Sequence, residues 1–128
     1  MKIERISKTD YFIYLFHYDL NKDLMEEIKK QLKKIQKRYH LKGYYKVFII
    51  EKNIGIFLKL VLIDSSSYQD TLDFRFVFID ENIYYKTKEY DVINNHLEIL
   101  YQGGYYYILV DSINNVLPLI EYGRFVLK

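Results

Sequence analysis

The amino-acid sequence predicts an α+β fold, a mainly antiparallel sheet with one long amphipathic helix packed on it and a second half that is mostly β. Two observations lead to this class. One segment repeats apolar residues at three- and four-residue spacing, which is the period of a helix face. Much of the remaining chain consists of short runs rich in Ile, Tyr and Phe between turn residues, which is typical of strands.

The first half predicts two hairpins, one on each side of the helix. The runs "KIERI" and "DYFIYLFHY" have the composition of strands, and Ser7 to Asp10 supply the turn between them. After the helix, "YYKVFIIE" and "GIFLKLVLI" are joined by "KNIG", where Asn53 and Gly55 are turn residues. The predicted order is therefore strand, strand, helix, strand, strand.

The predicted helix spans residues 20–39 and is the strongest local signal in the chain. Asp19 or Asn21 is expected to cap its N-terminus, and Gly43 is expected to stop it. Acidic residues occupy its early turns and basic residues its late ones, an order that complements the helix dipole. Its apolar stripe consists of Leu20, Leu24, Met25, Ile28, Leu32, Ile35 and Tyr39.

The second half begins with a strand of alternating pattern and continues in short strands. In "TLDFRFVFI" the residues Leu72, Phe74, Phe76 and Phe78 form one apolar face. The runs "HLEILY" and "YYYILVD" flank the turn "QGG", and "RFVLK" is expected to be a final edge strand. Between them, Ser112 is expected to cap a helical piece that Pro118 keeps short.

The domain organisation follows from the polar segment "DSSSYQD". We expect residues 65–70 to connect two sub-halves, a ββαββ unit at 1–64 and a β-rich unit at 71–128. Each sub-half has only about 60 residues, a size that is marginal for independent folding. The sequence therefore predicts a single compact domain over residues 1–128.

The composition excludes several chemistries. Without cysteine, the chain can have neither a disulfide nor a thiolate nucleophile nor sulfur-ligated zinc. His17, His40 and His96 lack metal-site spacing, and no Walker, dinucleotide-binding or Gly-x-Ser-x-Gly motif occurs. We therefore expect no enzymatic activity, no catalytic residue, no cofactor and no metal.

The wider composition indicates where such a protein occurs. No run approaches the roughly 20 apolar residues that span a bilayer, so we expect a cytoplasmic protein without a membrane partner. The absence of alanine and the presence of 15 tyrosines are typical of the codon usage of an AT-rich bacterial genome. The tyrosine content is therefore weak evidence for a base-stacking surface.

The helix carries the candidate interaction surface of the chain. The formal net charge is only +2, yet about half of the 19 basic residues lie between Lys22 and Lys46. The candidate residues are Lys30, Lys33, Lys34, Lys37, Arg38 and Tyr44. One interpretation is a nucleic-acid patch. The other is a solvated helix face, favoured by the spacings Glu26 to Lys30 and Glu27 to Lys34.

Three stretches carry a resemblance to a known family. The opening "MKIERIS" with the order ββαββ, the segment "LEILYQGGYYYILV" and the closing "LIEYGRFVL" resemble the MecA family of bacterial adaptors. Those adaptors pass substrates to the unfoldase ClpC, so the resemblance implies a protein-binding role with an AAA+ unfoldase as a partner. This chain lacks the long acidic linker of that family, and no ClpC-binding residue is carried over.

The expected function is a non-enzymatic protein-interaction domain, in the narrower form an adaptor in regulated proteolysis. Tyrosine-rich strands favour this because tyrosine offers a large amphipathic contact area at low entropic cost. The alternative is a small nucleic-acid-binding protein that uses the basic helix face. Homo-oligomerisation through an exposed edge strand such as "RFVLK" is a third expectation.

Overall fold

The computed structural model describes residues 2–15, 23–64, 72–90, 98–113 and 122–127. Within these residues the chain has one α-helix and two mostly antiparallel sheets, which confirms the predicted α+β class. The chain divides into two compact units. The first comprises Met1–Ile50 and Gly55–Ile79, and the second comprises Glu51–Ile54 and Asp80–Lys128.

The first unit contains a five-stranded sheet in the order β1-β2-β4-β3-β5. Its strands are β1 (Lys2–Arg5), β2 (Tyr11–Leu15), β3 (Gly43–Lys52), β4 (Gly55–Asp64) and β5 (Leu72–Phe78). The first predicted hairpin is present, with Lys2 opposite Tyr14 and Arg5 opposite Tyr11. In its turn, the backbone N–H of Asp10 donates to Ser7 Oγ at 3.1 Å. The second predicted hairpin is present as β3 and β4, which are neighbours in the sheet.

The fifth strand changes the predicted boundary between the halves. β5 pairs in parallel with β3, with Gly43 opposite Leu72 and Ile49 opposite Phe78. The sequence predicts these residues in the second half, at 71–128, whereas the first compact unit extends to Ile79. The physical reason is that the apolar face of β5 completes the core that β3 begins. Alternation predicts such a face but does not specify the neighbouring strand.

The helix α1 (Leu24–Tyr39) packs on one face of this sheet. Ile28, Leu32 and Ile35 are fully buried, as the predicted stripe requires, and each such side chain contributes about 1.5–3 kcal/mol of transfer free energy. Leu20 lies outside the described residues. The buried residues that share this core on the strands are Tyr11, Ile13, Leu15, Tyr45, Val47, Ile49, Ile56, Leu58 and Leu60.

The ends of α1 differ from the prediction. Asp23 is the N-cap, and its carboxylate accepts a hydrogen bond from the backbone N–H of Met25 at 2.9 Å. Asp19 and Asn21, which lie outside the described residues, are therefore not the cap, because the helix begins later than the apolar stripe suggests. At the other end His40 adopts the left-handed conformation with φ 53°, and its N–H donates to the carbonyl of Gln36. Gly43 does not stop the helix but begins β3.

The second unit contains a four-stranded antiparallel sheet in the order β7-β8-β6-β9. Its strands are β6 (Ile83–Thr87), β7 (Leu100–Gln102), β8 (Tyr105–Leu109) and β9 (Gly123–Leu127). Gly103 and Gly104, both with positive φ, form the predicted turn between β7 and β8. β9 is an edge strand, as the sequence predicts for "RFVLK". Ser112 ends a short 3-10 helix that begins at Val110, and the segment with Pro118 lies outside the described residues.

The core of the second unit is built on one face of its sheet. Ile83, Tyr85, Ile108 and Phe125 are buried, and the rings of Tyr85 and Phe125 meet edge-on at 5.6 Å. Gly123 lies against this cluster, and a Cβ atom at this position would collide with the backbone carbonyl oxygen of Lys86 and with the ring of Tyr85. The close approach of the β9 backbone to β6 therefore requires glycine.

Polar side chains from residues 51–54 also belong to the second unit. The ammonium group of Lys52 lies 3.4 Å from a carboxylate oxygen of Asp80 and 3.8 Å from one of Asp111. Asn53 Nδ2 donates to the carbonyl oxygen of Ile113 at 2.9 Å. The Lys52 side chain is nearly buried, so the two carboxylates offset the cost of removing its charge from water.

Candidate functional site

The predicted basic residues of α1 form one exposed surface. We define the basic surface as the side chains of Lys30, Lys33, Lys34, Lys37 and Arg38, all of which are exposed. Within the described part of the chain, no carboxylate lies within ion-pair distance of these five cations. The guanidinium of Arg38 lies 5.5 Å from the ring centroid of Tyr39. The prediction that this helix face is turned to solvent is confirmed.

Tyr44 does not join the basic surface. On β3 the side chains of Tyr45 and Val47 point into the core beneath α1. Because successive residues of a strand point to opposite faces, Tyr44 projects from the other face of the sheet. The sequence groups Tyr44 with the helix lysines, whereas the alternation along β3 separates it from them, since nearness in sequence does not decide the face of a strand residue.

Glu27 also differs from its predicted place on the outer face of α1. Its side chain is buried, with 9% exposed, and its carboxylate accepts a hydrogen bond from Gln31 Nε2 at 3.0 Å. It therefore does not take part in the expected charge mixing with Lys34. The outer face is consequently more cationic than the sequence pattern indicates, with Glu26 exposed in the first turn.

A groove lies between the helix and the edge strand of the first sheet. This α1–β5 groove has a volume of about 550 Å³. Phe74 and Phe76 form its apolar part, with their ring centroids 6.1 Å apart, and Phe74 also meets Tyr45 at 6.3 Å. The lining residues are Lys29, Lys33 and Gln36 from α1 and Asp73, Phe74 and Phe76 from β5.

The backbone of β5 faces outward along this groove. β5 is the last strand in the sheet order, so β3 is bonded to one of its sides and, among the described residues, no strand of this sheet is bonded to the other. The N–H of Ile79 donates to the carbonyl of Ile49 at 3.0 Å, which means that odd-numbered residues direct their peptide groups toward β3. Phe74, Phe76 and Phe78 then direct theirs to the outer edge, because peptide groups alternate along a strand. Such an edge can pair with another extended chain.

One outward N–H of this edge already has an acceptor. The backbone N–H of Phe74 donates to the carboxylate of its neighbour Asp73 at 2.9 Å. This bond satisfies the outward donor that follows Leu72, the first even-numbered residue of β5, and places a negative charge there. The outward groups of β5 that border the groove and can pair are then the carbonyl of Phe74 and the peptide groups of Phe76 and Phe78.

The groove combines three kinds of recognition. Its apolar part accepts an aliphatic or aromatic side chain, and the exposed Phe78, 56% accessible, extends this part along the same face. Lys29 and Lys33 supply positive charge on the helix side, and Gln36 offers a neutral amide. The arrangement suits an extended peptide, which presents a pairing backbone and alternate side chains to the same groove.

Tyrosines of the second sheet are in contact with lysines or with one another. The ammonium of Lys86 lies 4.1 Å from the ring centroid of Tyr105, and that of Lys88 lies 4.9 Å from the same ring. Tyr106 packs against Tyr101, with ring centroids 4.8 Å apart. These contacts give the rings a role in stabilising the sheet surface.

Only one residue of this groove, Lys33, is also a candidate interaction residue in the sequence. The sequence does not predict the strand side, formed by Asp73, Phe74 and Phe76. The alternating pattern of "DFRFVF" was a usable signal for a strand with one apolar face. It could not show that the strand lies at the edge and next to α1, because both depend on pairing between distant segments.

Other features of the described residues concern metal binding and membrane insertion. Among the described residues, no three His, Asp or Glu side chains come together as a metal site would require. His40 serves as the helix C-cap, while His17 and His96 lie outside the described residues. The described helix is too short and too polar to cross a membrane.

Comparison with models of protein families, with curated proteins and with solved structures finds no match to this chain. The resemblance to the MecA family therefore stays a prediction.

Proposed function

We propose that this chain is a protein-interaction domain that binds an extended segment of a partner protein in the α1–β5 groove, as a strand added beside β5. The observation that carries the proposal is an edge strand whose outward peptide groups at Phe76 and Phe78 border a groove with an apolar part. Main-chain hydrogen bonds would supply affinity, and the groove would select side chains.

The narrower role of an adaptor in regulated proteolysis rests on the resemblance to the MecA family. An adaptor must hold substrates that differ in sequence, and backbone pairing at an edge strand suits this need because every peptide carries the same backbone groups. An AAA+ unfoldase would then be a second partner, bound elsewhere on the chain.

The experiment is a selection of random peptides of about eight residues, a typical strand length, on the immobilised full chain. The dissociation constants of the recovered peptides are then measured by fluorescence anisotropy for the wild-type chain and for the variant Phe78→Pro. Proline at position 78 removes the outward backbone N–H without removing a hydrogen bond to β3. We therefore expect the variant to bind the peptides about tenfold more weakly, equivalent to about 1.4 kcal/mol. Phe78→Ala is the matched control, since it keeps the N–H and removes only the exposed ring.

Methylation of the peptide backbone tests strand pairing directly. Alternate residues of an added strand turn their N–H toward β5, and the others turn it away. Methylation of one alternate set should abolish binding, while methylation of the other set should be tolerated. Failure of the selection to recover any binding peptide, or equal effects of both sets, would refute the proposal.

Nucleic-acid binding through the basic surface is the second candidate function. It is favoured by five exposed cations that have no carboxylate partner among the described residues. Contact with single-stranded nucleic acid should then weaken steeply with salt, with a slope of about −0.7 per neutralised phosphate in a logarithmic plot. Combined replacement of Lys30, Lys34 and Arg38 by Glu should abolish it. These three residues do not line the groove, so peptide binding should persist in that variant.

A further inference from the structure

We infer that the segment bound in the α1–β5 groove is acidic, with carboxylate side chains at alternate positions facing α1. The inference rests on the proposed function and adds the chemistry of the partner. It follows from the charges around the groove and from the distance between alternate side chains on one face of an added strand.

The helix side of the groove is cationic. Lys29 and Lys33 line it one turn apart, and both side chains are exposed. Within the described residues, neither ammonium group has a carboxylate within ion-pair distance. The groove therefore presents two positive charges that have no carboxylate partner in the described part of the chain, and carboxylates are their natural complement in a peptide.

The spacing of these charges matches a strand. Residues three or four apart on a helix are separated by about 5–6 Å between their Cβ atoms. Alternate residues of a strand on one face are separated by nearly 7 Å, twice the rise per residue. Carboxylates at positions i and i+2 of the added strand can therefore each approach one of the two lysines.

The carboxylate of Asp73 makes one end of the groove unfavourable for an acidic side chain. This carboxylate occupies the N-terminal end of the described β5 edge, where it accepts the hydrogen bond from Phe74. An acidic side chain placed beside Asp73 would meet a like charge, whereas an apolar side chain would meet the ring of Phe74. The preferred segment thus has an apolar residue near Asp73 and its acidic residues beside Lys29 and Lys33.

A second copy of this chain is a poorer occupant on charge grounds. The described β5 brings Asp73 and Arg75 and no further carboxylate, so pairing of two β5 edges supplies little negative charge to the lysines of either copy. A partner protein with an acidic extended segment fits the groove better.

The test compares one peptide in three forms on the full chain. A peptide recovered from the selection is synthesised with Glu, Gln or Lys at the alternate positions that face α1. We expect the Gln form to bind about fivefold more weakly than the Glu form, and the Lys form more weakly still, because each partly exposed ion pair contributes about twofold to fivefold.

Two double variants with the same change in net charge locate the effect. Lys29→Glu with Lys33→Glu should abolish or reverse the preference for Glu over Lys in the peptide. Lys30→Glu with Lys34→Glu is the matched control, since both residues are exposed on the same helix but do not line the groove. It should leave most of the preference intact.

The outcomes separate this inference from the proposed function. Peptides that bind with the methylation pattern of a strand but show no preference for Glu would overturn the inference and leave the proposed function standing. Equal loss of preference in both double variants would also overturn it, because the effect would then be a general one of net charge. Light scattering that shows dimers dependent on Lys29 and Lys33 would identify a second copy as the occupant and overturn it as well.

Discussion

Tyr85 carries a phenol group that the fold keeps away from water. Its side chain is fully buried on β6, against the ring of Phe125. Burial raises the pKa of Tyr85 from 10.0 to about 12, and a hydrogen bond with the Thr87 side chain lowers it by less. An unfolded tyrosine ionises near pH 10, so between these values the folded chain retains a proton that the unfolded chain releases.

The sign and size of the effect follow from this difference in pKa. Because the folded pKa is the higher one, the stabilising contribution is fully present below about pH 10 and is lost as the pH rises toward 12. At about pH 11 the unfolded phenol is about nine-tenths ionised and the folded one about one-tenth. The free energy of unfolding should therefore fall by about 1.4 kcal/mol through this one group.

The assay is urea unfolding of the wild-type chain and of Tyr85→Phe, each at neutral pH and at about pH 11. Other tyrosines and lysines titrate in both proteins, so the informative quantity is the difference between their losses. We expect the wild type to lose about 1.4 kcal/mol more than Tyr85→Phe. Tyr101→Phe is the matched control, because Tyr101 is 62% exposed and its variant should behave like the wild type. Equal losses in wild type and Tyr85→Phe would refute the reasoning.

Three further predictions concern the backbone, each measured by chemical unfolding at neutral pH. Gly123→Ala should destabilise the chain by about 1–3 kcal/mol, because the methyl group collides with the backbone carbonyl oxygen of Lys86 and with the buried ring of Tyr85. Gly104→Ala, whose methyl group meets no neighbour, should cost only its backbone strain of about 1 kcal/mol. Equal losses in the two variants would contradict the packing argument. His40→Gly should stabilise by about 1 kcal/mol, since glycine adopts the left-handed cap without strain, and His40→Ala should show no gain. Asp23→Ala should cost about 1 kcal/mol through loss of the N-cap, whereas Asp23→Asn should retain most of the stability; a neutral Asp23→Ala would show that the cap is dispensable.

The sequence predicted those elements that depend on neighbours in the chain. The stripe through Ile28, Leu32 and Ile35 identified the helix because its residues share a face within a few turns. The hairpins could be predicted for the same reason, since Asn53 and Gly103 are turn residues between strands that are adjacent in sequence. The exposure of the basic surface followed as well, because it lies opposite a stripe that has to be buried.

The caps of the helix were harder to predict, although they are local. Several polar residues precede the stripe, and composition alone does not rank Asp23 above Asp19 or Asn21. The choice depends on where the helix begins, and that is set by the packing of its first turn on the sheet. The left-handed cap at His40 was also hard to predict, because glycine is the usual residue at such a position and the nearest glycine is Gly43.

By itself the sequence determined a strand-rich α+β chain with one amphipathic helix whose lysines face solvent, because periodicity assigns each of these residues to a face. Tertiary structure alone decided that β5 pairs with β3 at the edge of the first sheet and lies beside α1. It also decided that Tyr44 points away from the lysines while Phe74 and Phe76 border Lys29 and Lys33. Pairing between segments distant in sequence is governed by the burial of complementary faces, and no single segment encodes its partner.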